Sequence, residues 1–79
     1  MTWLFLHVCS ADGELAEDPD GEEFDTLDHA KVEACAAARE LMADALRADQ
    51  PLGLDRTIEI TNEHGSIVAS VPFRDAFKA

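Results

Sequence analysis

The residues of this sequence best equipped for chemistry stand near its start. His7 and Cys9 lie two apart in TWLFLHVC, and a second thiol, Cys35, follows in a region of helix formers. Two positions apart on a strand is one face, so an imidazole and a thiol would sit side by side, the donors of a soft-metal site or of a Cys-His nucleophile. The set stops short of either. Zinc sites bring four ligands in close pairs, and lone cysteines are more often packing residues. His29, on the polar side of a helix, and His64, in a turn, have no third member for a triad.

The second group is acidic. Nine carboxylates lie between Asp12 and Asp28 with no Lys or Arg among them, which raises the question of calcium. If Gly21 were the glycine at the sixth position of a calcium loop, the first would fall on Ala16 and the twelfth on Leu27, neither of which supplies a side-chain oxygen. The run reads as a solvated acidic loop. No Gly-rich phosphate loop and no GxSxG element is present, and the basic residues are scattered from Lys31 to Lys78. The expectation is a non-enzyme with no catalytic, cofactor-binding or metal-binding residues.

Seventeen acidic and six basic residues give a formal net charge of −11. That charge opposes direct binding to nucleic acid, which depends on clustered Lys and Arg. The longest apolar run, Trp3 to Leu6, is far below the ~20 residues of a spanning helix. Two cysteines make no disulfide framework, and the start lacks the basic flank and long apolar run of a signal peptide. A soluble, cytoplasmic protein with reduced thiols is expected, folded as one domain over 1–79 because 79 residues leave room for a single core.

These residues must be positioned by a few elements. Thr2 to Cys9, rich in aromatic and branched side chains, predicts a strand, and Asp12-Gly13 a reversal into a short second strand over Glu14 to Glu17. Thr26 to about Ala48 holds good helix formers with no Gly or Pro, capped by Asp25 or Thr26. Its apolar stripe comprises Leu27, Ala30, Ala34, Ala37, Ala38, Leu41, Met42, Ala45 and Leu46. So much alanine allows close approach to a sheet but buries little area, so the core is thin. TIEIT (Thr57 to Thr61) predicts a half-buried strand, and Ser66 to Phe73 returns with Ile67, Ala69, Val71 and Phe73 on one face. Pro72 suits an edge. The fold class is α+β: an antiparallel sheet of two hairpins with one long helix on one face, in the order β-β-α-β-β.

One helix covers one face, yet the first strand is apolar on both. Leu4, Leu6 and Val8 form one face; Trp3, Phe5 and Cys9, with His7, form the other. Trp3, Phe5 and His7 are the candidate interface, and a second copy of the chain is the expected cover.

LFLHV at the start, D-x-D-G-x-E-F before the helix, the Ala-rich helix and NEHGSIVASVPF at the end resemble a family of short bacterial proteins known as a domain of unknown function. The resemblance runs over nearly the whole chain and implies a fold pattern but no activity. Thr26, Leu27 and Ala30, after an N-terminal hairpin, also resemble the helix opening of HicB-type antitoxins. That weaker likeness implies a different partner, a small basic protein inhibited by binding. An acidic field would speed the encounter.

Overall fold

The computed structural model describes residues 2–77. Five antiparallel strands and one long helix make the expected α+β architecture: β1 (Thr2–Cys9), β2 (Leu15–Ala16), β3 (Glu22–Phe24), α1 (Leu27–Arg47), β4 (Thr57–Thr61) and β5 (Ile67–Pro72), followed by a 3-10 helix over Phe73–Phe77. The main path of the sheet runs β2-β1-β4-β5. No helix among the described residues is long and apolar enough to cross a membrane.

β1 is central. On one side it pairs with β4, Phe5 opposite Thr61 through Cys9 opposite Thr57. On the other it pairs with β2 at Val8 and Cys9 and with β3 at Thr2 to Leu4. β3 was not anticipated, because three residues inside an acidic run carry too little apolar alternation to read as a strand. Together β2 and β3 form one return run along β1. Five residues, 17–21, span the gap that only 5–7 occupy on β1, so the run carries a two-residue bulge.

The core lies between the sheet and α1. Leu4, Phe24, Ile58, Ile60, Val71 and Phe73 meet Ala30, Ala34, Ala38 and Met42, with Leu6, Val8 and Ala69 packed beside them. The buried helical residues recur every four positions, a narrower stripe than the periodicity suggests. Leu41 (39% exposed) and Leu46 (71%) fall outside it. Three alanines four residues apart, Ala30, Ala34 and Ala38, let the axis lie close to the sheet, and Phe73, fully buried where β5 gives way to the 3-10 helix, fills the end of the layer. The 3-10 helix is tied back to α1 by Arg39 Nη1, which donates to the Ala76 carbonyl at 2.7 Å.

Both ends of α1 are capped by local chemistry. Thr26, in extended conformation, accepts at Oγ1 from the His29 N–H at 3.0 Å, satisfying one free donor of the first turn. At the other end Asp49 adopts φ +59°, its N–H donating to Leu46 and that of Gln50 to Ala45, the paired bonds of a left-handed helix stop. In β5 the expected face is broken by an irregularity between Ile60 and Thr61, which sets Ile67 opposite Thr61 rather than in the core. Ile67 is accordingly 57% exposed. β5 ends at Pro72, on the sheet's edge as its missing N–H requires.

Enlarging the contact stripe should therefore be harmful: Ala34→Leu is expected to cost about 1–3 kcal/mol by overpacking. Asp49→Gly should instead add about 1 kcal/mol by removing the left-handed strain of a non-glycine residue. Urea unfolding of both variants checks the pair.

Candidate binding face of the sheet

α1 covers the face of Leu4, Leu6 and Val8, so Trp3, Phe5, His7 and Cys9 of β1 point to the opposite face. Across the ladder they are joined by Glu23 of β3, by Thr57, Glu59 and Thr61 of β4, and by Ser70 of β5. Trp3 is 41% exposed. Phe5 and His7 lie with parallel rings, centroids 6.2 Å apart. None of the five strands carries Lys or Arg.

The bulge between β2 and β3 organises this face. Leu6 falls in the stretch of β1 that pairs with β4 but has no strand on its β2/β3 side, and its N–H donates to Asp18 Oδ2 at 3.3 Å. The other carboxylate oxygen accepts from the N–H groups of Asp20 and Gly21. The Asp18 side chain thus stands in for a strand carbonyl while bending its own loop into a tight turn. Its backbone N–H donates to His7 Nδ1 at 3.0 Å. The neutral imidazole then carries its hydrogen on Nε2, which donates to Thr61 Oγ1 at 3.0 Å. Thr61, 7% exposed, is a buried polar side chain among the described residues, and this bond satisfies it.

The turn also carries the close approach that shapes the aromatic patch. Gly21 has φ +69°, and a Cβ placed there would lie 2.6 Å from Trp3 Nε1 and under 3.0 Å from two ring carbons of Phe5. Only glycine allows the loop to lie against both rings. A groove results, lined by Trp3, Phe5, Glu23 and Glu63.

Of the anticipated interface residues, Trp3 and Phe5 share this groove, whereas His7 is turned to Asp18 and Thr61 and serves to position the loop. The acidic loop is only partly the solvated segment expected from sequence, because Asp18 is committed to three backbone donors. The D-x-D-G spacing was visible as a turn, but its bond to Leu6 depends on a bulge that no local pattern reveals. Glu63 was read only as a turn residue, and nothing local links it to Trp3.

The thiols do not converge with His7 into a metal site. Cys35 is packed against the core from α1, on the other side of the sheet from Cys9. Cys9 Sγ donates to Glu59 Oε1 at 3.1 Å. Desolvation, then that hydrogen bond and the Glu59 charge, push the Cys9 thiol up to about 11. A thiol so held is a poor nucleophile at neutral pH.

The family comparison matches residues 4–74 to the model described as Domain of unknown function (DUF6894). The chain belongs to the DUF6894 family. The match covers both hairpin regions and the helix of this DUF6894 chain, and it lends no support to the HicB-type likeness. Neither a curated protein nor a solved structure matches the sequence.

Two measurements test the geometry of the face. Asp18→Ala should destabilise by about 2–3 kcal/mol through lost charge-assisted bonds, and Gly21→Ala by about 2 kcal/mol with a shifted Trp3 emission. Unfolding curves followed by tryptophan fluorescence read both. For Cys9, the thiolate fraction at pH 8 should be roughly a hundredfold below that of a thiol near 9, of which intrinsic nucleophilicity recovers about tenfold. Alkylation at Cys9 should accordingly run about tenfold slower than for an ordinary thiol and speed up in Glu59→Gln, as read by peptide mass mapping.

Proposed function

We propose that this DUF6894 protein is a non-catalytic protein-interaction module whose binding surface is the sheet face left bare by α1. The observation that carries this reading is Trp3, 41% exposed beside Phe5 on a face held in place by the Asp18, Gly21 and His7 contacts. Aromatic anchors on a fixed surface bind at low ordering cost. The face brings together no activated nucleophile and no acid-base pair of the kind hydrolysis or transfer requires.

Two occupants are consistent with it. A second copy of the chain is favoured by the apolar centre of the face and by β5, which has no strand on its outer side among the described residues. A small basic protein, bound and inhibited in the manner of an antitoxin, is favoured by the net charge of −11, which steers cationic partners and repels like ones. A cytoplasmic, soluble setting suits both.

The test compares faces. Trp3→Ala should abolish both the concentration-dependent rise in sedimentation coefficient, if the protein self-associates, and retention of partners by the tagged protein, while Leu46→Ala on the exposed side of α1 should leave both intact. The opposite pattern would assign binding to the helix and overturn the proposal.

A further inference from the structure

We infer that the groove between Trp3 and Phe5 is a seat for an arginine side chain of a basic partner protein, an inference that rests on the interaction-module reading and selects its occupant. Trp3 and Phe5 are two apart on β1 and share a face. Glu23 is the cross-strand partner of Trp3 on one side. On the other, Phe5 pairs with Thr61, so Glu63, two residues beyond Thr61, arrives at the level of Trp3 at the start of the β4–β5 turn. The indole is therefore flanked on both sides by carboxylates, and the four side chains line one groove.

Both carboxylates are exposed, and neither has a salt bridge or hydrogen-bond partner among the described residues. Among the described residues, Arg39 is tied to the Ala76 carbonyl, Arg47 is paired with Asp44, and the five strands carry no Lys or Arg. Lys78 lies outside the described residues. A planar cation that stacks on an aromatic ring and offers several N–H donors to two carboxylates meets every feature of this groove. That is a guanidinium, and an ammonium meets fewer because it is compact and strongly hydrated. A second copy fits less well, since pairing two such faces would set Glu23, Glu59 and Glu63 against their own copies with no base between.

Trp3 is the only tryptophan in the chain, so its emission reports the groove directly. The probes are two blocked pentapeptides of equal charge, Gly-Arg-Gly-Arg-Gly and Gly-Lys-Gly-Lys-Gly, titrated at low salt into the full-length protein. The arginine peptide should change Trp3 emission saturably and bind at least about fivefold tighter than the lysine peptide. Glu23→Gln/Glu63→Gln, its fold checked by circular dichroism, should weaken it about fivefold or more. Glu14→Gln/Glu17→Gln, which removes the same charge from the far end of the loop, should leave it within about twofold. Equal binding of the two peptides, an unchanged emission, or equal loss in both double variants would overturn the inference. A Trp3-dependent dimer that takes up no arginine peptide would also overturn it while leaving the interaction module standing. Loss of both would remove the two together.

Discussion

The structure is governed by a shortage: one helix can dry one face of a sheet, and this helix presents mostly alanine. The close contact of Ala30, Ala34 and Ala38 with Leu4, Ile58, Ile60 and Phe73 gives α1 its position but buries modest area per residue. The opposite face receives no such cover and is ordered by polar bonds instead. Asp18 is their centre. Its carboxylate closes the backbone of β1 in the gap between β2 and β3, its N–H fixes the His7 ring, and His7 in turn satisfies Thr61. Those three links run from the acidic loop through β1 to β4, so loop, aromatic patch and sheet are one unit.

This arrangement commits the residues suited to chemistry to contacts within the fold. His7 has both ring nitrogens occupied, the Cys9 thiol is pushed up by desolvation and then by Glu59, and Cys35 lies in the opposite layer. What remains accessible is a carboxylate-rimmed aromatic surface on a chain of net charge −11. In the interaction module proposed above, the rings would supply contact area and the field would select the sign of the partner.

Much of the fold was legible because it rests on local signals. The helix and its Thr26 cap, β1, β4 and the last hairpin each follow from periodicity or turn chemistry, and the two-faced apolarity of β1 already pointed to a face the helix could not reach. What escaped reading depends on long-range register. β3 exists because the acidic run folds back on β1, Ile67 leaves the core because the β4–β5 register shifts past Val68, and Glu63 meets Trp3 only through the pairing of Phe5 with Thr61. The role of Asp18 was hidden for the same reason: a turn-forming aspartate looks alike whether or not a distant amide waits for its second oxygen.

In the gap between β2 and β3 the Asp18 carboxylate substitutes for a strand on β1, and amide hydrogen exchange at Leu6 reads that bond. The Leu6 N–H is expected to be protected to a degree comparable with its neighbours bonded to β4 in the wild-type protein and to lose that protection selectively in Asp18→Ala. Exchange at Leu6 as fast as at an open edge in the wild type would show that the loop is not bound to β1, and the fixed binding face would go with it.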